Sequence, residues 1–272
     1  MGGQNKQGNA NLLAEQILTV VMQSFVEYSF VHTPEQLQAL ITEPDSDPVF
    51  LQAVRNTLVF VVVGQGIGPV LGIASALLLN NKLRFRAFFR TAYFVPVMTS
   101  LVVVATIWKM LLNSGGIVNI IFGYFHLPTT NWLDNPSTAL PSVIASSVWQ
   151  GFGFETVIFL GAIQAIPREY YEAAMVDGAS AWSRFWHITL PGLRPTILFV
   201  YVIGIIQSSQ VFDQVFVMTQ GGPIGSTDTV VYELVNRFNS LDLGQASAIA
   251  YLLAIFLAIL SFVQIRVFKE WA

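Results

Sequence analysis

Two carboxylic acids, Glu155 and Asp213, lie inside long apolar stretches of this chain, where charged side chains are rare. Each follows a short polar run. The runs are Ser147, Trp149, Gln150 and Gly151 before the first acid, and Gln207, Ser208, Ser209 and Gln210 before the second. Hydroxyl and amide groups can hydrogen-bond the hydroxyls of a sugar, and aromatic rings can stack on its apolar face. The pattern fits the lining of a solute path, and it also fits polar contacts that hold helices together.

Covalent chemistry by these two acids would define a different class, a membrane-embedded hydrolase. They lie on different apolar stretches, and no nucleophile–base motif accompanies them. The chain contains no GxxxxGK[ST] loop, so it is not expected to bind ATP itself. It has no cysteine, and its three histidines (His32, His126 and His187) are far apart in sequence. We therefore expect no catalytic residue, metal or cofactor.

The composition indicates which elements position these side chains. Of the 272 residues 54% are hydrophobic and 11% are charged, whereas soluble domains carry about 25% charged residues. Apolar runs long enough to span a bilayer recur along the chain. The predicted fold is an all-α, polytopic membrane helix bundle. Five spans are predicted, over residues 58–79, 91–112, 142–166, 196–219 and 246–265.

The connections between these spans alternate in charge. Basic residues lie in connection 80–90 (Lys82, Arg84, Arg86, Arg90), in connection 167–195 (Arg168, Arg184, Arg194) and in the tail (Arg266, Lys269). Connection 113–141 has no Lys or Arg, and connection 220–245 has only Arg237. The positive-inside rule then predicts that the basic connections and the C-terminus lie in the cytoplasm.

The N-terminal segment, residues 1–49, departs from this pattern. Residues 12–31 are amphipathic and contain Glu15 and Glu27, so they either span by packing a polar face on the bundle or lie on the membrane surface. Residues 33–50 carry four acids and are expected outside. We therefore predict an atypical N-terminal helix and external segment over 1–49, and a transmembrane domain over 50–272.

Small residues recur every four positions in the first predicted span, as Gly64, Gly68, Gly72 and Ala76. This stripe predicts a smooth groove that another helix can approach closely, and not a nucleotide-binding loop. In the second span, Pro96 is expected to kink the helix. Such a kink serves either packing or a pore beside it.

The connection after the third span carries the most informative pattern, PREYYEAAMVDGASAWSRFWHITLPGLRP over residues 167–195. Pro167 suits the first turn of a helix, and Gly178 suits the left-handed residue that ends one. Residues 167–177 are therefore predicted to form a short helix with Tyr170, Ala173, Ala174 and Asp177 on one face. A second short helix is expected over 180–187, before Leu190 and Pro191 redirect the chain into the membrane.

The order of Glu172, Ala173, Ala174 and Gly178, followed by Leu190 and Pro191, resembles the EAA motif of bacterial ATP-binding-cassette importer permeases. Further matching pieces are FLQAVRNT (50–57), LNNKLRFRAFFR (79–90), QGFG (150–153), QAIP (164–167) and FDQVFVMTQGGP (212–223). The chain is similar to sugar-type permeases of the maltose and glycerol-phosphate kind over most of its length. The start differs, since this family normally opens with a strongly apolar span.

This resemblance implies a type I importer permease fold with about six transmembrane helices. It implies four partners in the bilayer assembly: a second homologous permease, two cytoplasmic ATP-binding subunits and an extracytoplasmic solute-binding protein; no nucleic acid is implied. Glu172, Ala173, Ala174, Asp177 and Gly178 would form the coupling helix that docks in an ATPase cleft. The substrate-binding positions carried over are Val97, Leu101, Ser147, Gln150, Gly151, Ser208 and Gln210.

The implied function is half of a translocation pathway for a sugar or related solute, operated by alternating access and powered by the partner ATPases. A polyol, a phosphate ester or an oligosaccharide remains open as the solute. No basic cluster lies at membrane depth, which disfavours a doubly charged phosphate ester. The remaining alternative is a membrane partner with a closed pore that does not transport.

Overall fold

The computed structural model describes residues 48–80 and 86–269. These residues form helices with no strand among them, and their bounds are as follows. They are α1 (Pro48–Asn80), α2 (Arg86–Met98), α3 (Leu101–Leu112), α4 (Ile117–Tyr124), α5 (Pro136–Ala165), α6 (Arg168–Val176), α7 (Ala181–Arg184), a π-helical turn (Phe185–Thr189), α8 (Leu190–Ser209), α9 (Asp213–Met218), α10 (Val230–Asn239) and α11 (Leu243–Lys269). The predicted all-α class is confirmed. The predictions for residues 1–47 lie outside the described residues, as do those for Lys82 and Arg84.

Within the described part of the chain, five helical segments are long and apolar enough to cross a membrane. They are Pro48–Asn80, Leu101–Tyr124, Pro136–Ala165, Ala181–Ser209 and Leu243–Gln264. Each overlaps one of the five predicted spans. The overlap follows from length and hydropathy, since both are read from sequence without knowledge of packing.

The predicted second span, 91–112, is not one kinked helix. It is two helices, because α2 continues past Pro96 to Met98 and α3 starts at Leu101. At the end of α2 the Thr99 hydroxyl donates to the Val95 carbonyl at 2.8 Å, and the Thr99 amide donates to the Pro96 carbonyl at 3.3 Å. Ser100 is extended. The break therefore comes at Thr99–Ser100, after the proline rather than at it.

The predicted fourth span, 196–219, is also divided. Helix α8 ends at Ser209, and α9 begins at Asp213 after a non-helical stretch. The Gln210 amide donates a hydrogen bond to the Gln207 carbonyl at 3.1 Å, and the Val211 carbonyl accepts one from the Thr229 hydroxyl at 3.1 Å. Asp213 is thus in the first turn of a short helix and not inside a continuous span. A carboxylate suits that position because the helix N-terminus carries a partial positive charge.

The apolar core has two separate clusters. One joins α1, α3, α5 and α9 and contains Phe60, Ala105, Leu112, Leu140, Val143, Ile144, Val211, Val215 and Met218. The other joins α1, α5 and α8 and contains Ala76, Leu79, Phe159, Leu160, Ile163, Leu193 and Val200. Helices α1 and α5 run through both clusters, and Gln65 on α1 and Ser147, Gln150 and Glu155 on α5 lie in the interval between them. Along α1 and α5, apolar clusters therefore flank a polar layer.

The glycine stripe on α1 forms the predicted groove. Gly64, Gly68, Gly72 and Ala76 are all buried. A Cβ placed on Gly72 would lie 2.9 Å from Cβ of Glu155 and 3.3 Å from a ring carbon of Phe159. Helix α5 therefore packs so closely on this part of α1 that a side chain at Gly72 would have to displace it.

Candidate functional site

A cavity of about 530 Å³ lies between the two apolar clusters, where the second and fourth predicted spans are broken. All seven residues predicted to contact substrate border it: Val97, Leu101, Ser147, Gln150, Gly151, Ser208 and Gln210. They come from α2, α3, α5, α8 and the stretch after α8. Residues distant in sequence thus converge on one space of the size that small-molecule sites have.

Gln150 is the most constrained polar side chain in this cavity. It is buried, and its Nε2 donates to the Thr99 carbonyl at 3.3 Å. Nε2 of Gln214 lies 3.5 Å from Oε1 of Gln150, in a long donor contact. The Thr99 carbonyl is available because α2 has ended there. The helix break thereby supplies a main-chain acceptor to the cavity, as non-helical backbone at membrane depth commonly does beside a pore.

A second polar contact joins α1 to α8. Nε2 of Gln65 donates to Oγ of Ser208 at 2.8 Å, and both residues border the cavity. Ser209, in the same polar run, is buried, and its hydroxyl donates to the Ile205 carbonyl at 2.8 Å. Only part of the run that ends α8 therefore lines the cavity, and the rest satisfies its own helix.

The two acids singled out in the sequence both border the cavity. Glu155 lies on α5 with its carboxylate over Gly68; a Cβ placed on Gly68 would be 3.1 Å from each carboxylate oxygen. Asp213 lies at the start of α9, on the opposite side of the break from Ser208. The structure thus brings the two acids to one space, although they are on separate helices.

Trp149 does not supply the aromatic surface that its sequence position predicts. Its ring packs edge-to-face with Trp108 at 5.8 Å between centroids and is 43% exposed, and it does not border the cavity. The aromatic residues that do are Phe60, Phe152, Phe154 and Phe212. On a helix Trp149 and Gln150 point about 100° apart, so the polar face and this ring cannot share one side.

Sequence reasoning missed four polar or small contributors to the cavity. They are Gln65, Thr99, Gly204 and Gln214. Gln65 offered a signal, since an amide in an uncharged apolar run needs a partner. Gln214 directly follows Asp213 and offered a similar one. Thr99 and Gly204 contribute main-chain atoms and space, which no side-chain pattern reveals.

The second predicted site, the coupling segment, has the expected helix and stop. Pro167 precedes α6, and Asp177 ends it. Gly178 has φ of 76°, in the left-handed region, and the amides of Gly178 and Ala179 donate to the carbonyls of Met175 and Ala174 at 3.1 and 2.8 Å. This arrangement is a glycine-type helix stop. The predicted short helix and its glycine stop are confirmed in this structure.

Helix α6 contains no buried residue. Tyr170, Ala173, Ala174 and Asp177 share one face, as predicted, and border a cleft of about 690 Å³ together with Ile166, His187, Pro191 and Gly192. Glu172 lies outside that cleft and is exposed. The short side chains of the two alanines therefore leave an open space beside α6.

The segment after Gly178 differs from its prediction. Helix α7, the π-helical turn and α8 follow one another without a break, so Leu190 and Pro191 do not redirect the chain. The Leu190 amide donates to the Phe185 carbonyl, five residues back. A proline lacks an amide hydrogen and crowds the carbonyl four residues before it, and the wider turn ahead of Pro191 accommodates this. The Tyr171 hydroxyl lies 3.0 Å from the Thr189 hydroxyl and joins α6 to this turn.

The described residues form five helical segments long enough to cross a membrane, a polar cavity, and an exposed short helix that ends at Gly178. This combination is expected of a membrane transport subunit. Residues 68–269 match the family described as the binding-protein-dependent transport system inner membrane component, and the chain belongs to that family. The resemblance drawn from the EAA segment is thereby confirmed.

Similar curated proteins include sugar transport permeases. The lactose transport system permease protein LacF of Rhizobium radiobacter is 36% identical over 234 residues, which cover 83% of this chain and 78% of the relative. The trehalose/maltose transport system permease protein MalF of Thermococcus litoralis is 35% identical over 207 residues, covering 76% and 70% of the two chains. These relatives are transport permeases and not enzymes.

Solved structures share the fold. A bacterial ATP-binding-cassette transporter that imports the acidic polysaccharide alginate matches with a TM-score of 0.81 at 22% identity, covering 98% of each chain. An alginate transporter in complex with a pentasaccharide-bound periplasmic protein matches with a TM-score of 0.69 at 24% identity, covering 94% of this chain and 93% of that one. The chain therefore has the fold of importer membrane subunits, as predicted.

Proposed function

We propose that this chain forms half of the translocation pathway of a saccharide importer, with the polar cavity as its solute site. The observation that carries this is the convergence of Ser147, Gln150, Ser208 and Gln210 on one space between two apolar clusters. Apolar clusters pack α1 and α5 on both sides of these residues. In the alternating-access cycle that we propose, the two sides would open in turn.

The chemistry of the cavity suits a sugar. Hydroxyls and amides provide donors and acceptors for sugar hydroxyls, and Phe152, Phe154 and Phe212 provide apolar surface for the ring faces. Val97, Leu101 and Gly151 add apolar contact and room. The names of the relatives, which include lactose and trehalose/maltose permeases, support the same class of solute.

The coupling segment is the part of this chain that would receive the movement of an ATP-binding subunit. We assign Glu172, Ala173, Ala174, Asp177 and Gly178 to the surface that docks on a cytoplasmic ATP-binding subunit. Helix α6 is exposed, is stopped by a rigid glycine turn and is fastened to the chain through Tyr171 and Thr189. Movement of α6 would therefore be transmitted through the π-helical turn to α8, whose far end borders the cavity.

The assembly would contain a second homologous permease, two ATP-binding subunits and an extracytoplasmic solute-binding protein. Closure of the ATP-binding pair would draw the two coupling helices together and open the permeases outward to receive solute. The present chain would make and break no covalent bond. The basic connections and the C-terminus would face the cytoplasm of a bacterial plasma membrane.

The test is uptake of labelled lactose, maltose and trehalose by vesicles that contain the chain with its partner subunits and binding protein. Ser147→Ala and Gln210→Ala should each reduce uptake several-fold, because a lost hydrogen bond to an uncharged ligand costs about 0.5–1.5 kcal/mol. Ser137→Ala, at the outer start of α5 and outside the cavity, is the matched control. Unchanged uptake in both cavity variants would leave these residues as helix contacts only.

A further inference from the structure

The charge of the cavity carries information about its solute. Its described lining contains the carboxyl groups of Glu155 and Asp213, and no Lys, Arg or His is among those lining residues. A solute that enters therefore meets potential negative charge without a compensating cation from the described part of this chain. Charge interactions are stronger in such a partly dehydrated space than in water.

Glu155 is the acid whose surroundings point to a missing donor. Its Oε2 is buried and has no hydrogen-bond partner. The carboxylate lies against Gly68 and Gly72, which provide no side chain to pair with it. A buried acceptor without a donor is unfavourable, and more so when it is charged. In a native site such a group is met by a water, an ion, a neighbouring chain or a ligand, and its place beside the cavity makes a ligand one of these.

Gln65 provides an independent observation in the same region. It is more than nine-tenths buried, with 9% of its surface exposed. Its Nε2 donates a hydrogen bond to the Ser208 hydroxyl, while its Oε1 lies beside Gly204, buried and without a hydrogen-bond partner. Glu155 on α5 and Gln65 on α1 therefore border the same cavity, and each has one buried acceptor oxygen without a partner.

We propose that Glu155 and Gln65 form an acceptor subsite for the hydrogen-bond donors of a saccharide that carries no negative charge. This inference rests on the proposed function and narrows its solute to neutral or amino sugars. Sugar hydroxyls or an ammonium group would complete the two acceptors. A uronate or a phosphorylated sugar would bring a second negative charge next to Glu155 and be rejected, a selection by repulsion. In this respect the chain would differ from the importer of the acidic polysaccharide alginate whose fold it shares.

The experiment measures uptake by vesicles containing the complete importer and its binding protein. The probes are maltose, lactose and trehalose as neutral sugars, a glucosamine disaccharide as an amino sugar, and digalacturonate as an anionic one. Since the same binding protein delivers the solute in every assay, a difference between variants reports on the permease. Copurification of the partner subunits is measured for each variant.

Glu155→Gln keeps the shape of the side chain and removes its charge. Uptake of the transported neutral or amino sugar should fall about tenfold, since a hydrogen bond to a charged group is lost, with an amino sugar affected more than a neutral one. The ratio of digalacturonate to neutral uptake should rise. Glu155→Asp, which keeps the charge, should keep the exclusion of digalacturonate, and Gln65→Met should lower neutral-sugar uptake several-fold. Asp134→Asn, an exposed acid outside the cavity, is the control and should change nothing.

The outcomes separate this inference from the proposed function. Uptake of a neutral sugar with equal rates in the wild type and Glu155→Gln would overturn the acceptor subsite and leave the saccharide importer standing. Efficient wild-type uptake of digalacturonate would do the same. Loss of the partner permease from Glu155→Gln would assign the carboxylate to assembly and also overturn the subsite. No uptake of any of the sugars by the wild type would overturn both.

Discussion

Nδ2 of Asn56 donates to the main-chain carbonyl of Asp228 at 2.9 Å, across 172 positions of the sequence. The same nitrogen donates to the Gly225 carbonyl at 2.9 Å, and the neighbouring Thr57 hydroxyl accepts from the Val230 amide at 3.0 Å. The early part of α1 therefore holds the loop that precedes α10. Asn56 and Thr57 belong to FLQAVRNT, one of the segments that carry the family resemblance, and their partners directly follow another, FDQVFVMTQGGP.

Asn56→Ala should loosen this loop. The substitution leaves two carbonyls without their donor, and a buried unsatisfied group costs about 1–3 kcal/mol. The expected result is a lower thermal unfolding midpoint of the purified protein in detergent. Asn131→Ala, at an exposed position outside the contact, is the control. Equal midpoints for Asn56→Ala and the wild type would show that the loop does not depend on this contact.

The glycines of α1 should differ in their tolerance of a methyl group. A Cβ on Gly72 would meet Glu155 and Phe159, whereas a Cβ on Gly66 would have no heavy atom within 4 Å. Gly72→Ala should therefore destabilise the protein by about 1–3 kcal/mol through overpacking. Gly66→Ala in the same helix should be neutral or slightly stabilising, because alanine favours helix. Detergent unfolding of both variants is the measurement, and similar midpoints would contradict the close packing of α1 on α5.

Stability should depend on pH through Asp228. Burial, and after it the nearby Glu233 carboxyl, raise the pKa of this carboxyl from 3.8 to about 7. Tyr232 and Arg237 are also close, and Nε of Arg237 donates to Glu233. Because the folded pKa is the higher one, the stabilising contribution is complete below pH 3.8 and is lost as the pH rises through 7.

Asp228→Asn should remove this part of the pH dependence. The wild type should lose stability between pH 5 and pH 8 relative to the variant, which cannot deprotonate at this position. Unfolding midpoints of the two proteins are compared at both pH values. Parallel pH profiles would mean that Asp228 titrates alike in the folded and unfolded states.

The orientation in the membrane can be tested with single cysteines, since the chain has none of its own. Ser137 and Ser180 are both exposed and lie on opposite sides of the span formed by α5. A cysteine at 137 should react with an impermeant thiol reagent in intact cells, and a cysteine at 180 should react only after the membrane is opened. The reverse pattern would contradict the positive-inside assignment.

The sequence predicted the parts of this fold that depend on local physics. Span positions follow from hydropathy, the stop at Gly178 from its freedom to adopt positive φ, and the buried face of α1 from the spacing of its glycines. The break in the second span was misplaced, and the break in the fourth span was not predicted. The break after Pro96 depends on the hydrogen bonds of Thr99, and the one after Ser209 depends on Thr229, which is distant in sequence.

The cavity was predictable only in part. Ser147, Gln150, Ser208 and Gln210 were found because they form polar runs in apolar segments and match a family pattern. Gln65 was overlooked because the glycines around it indicated helix packing, and its contact with Ser208 depends on how α1 packs on α8. Trp149 was misassigned because a polar run does not reveal which way each residue faces on the helix.

In the proposed importer, this chain couples ATP hydrolysis by its partners to movement of a saccharide. The most direct test of this coupling is ATP-driven uptake by vesicles containing the complete importer, with copurification of the ATP-binding subunits. Gly178→Val and Glu172→Lys are compared with the wild type. Gly178 has open space at its Cβ, so a valine there acts through backbone strain of about 1–2 kcal/mol rather than a clash.

Gly161→Ala is the matched control, because that glycine is also in open space but lies inside a helix. The wild type and Gly161→Ala should both show ATP-dependent uptake. Gly178→Val and Glu172→Lys should insert in the membrane but lose uptake and bind the ATP-binding subunits more weakly. Normal uptake and normal binding in both coupling variants would contradict a coupling role for this segment.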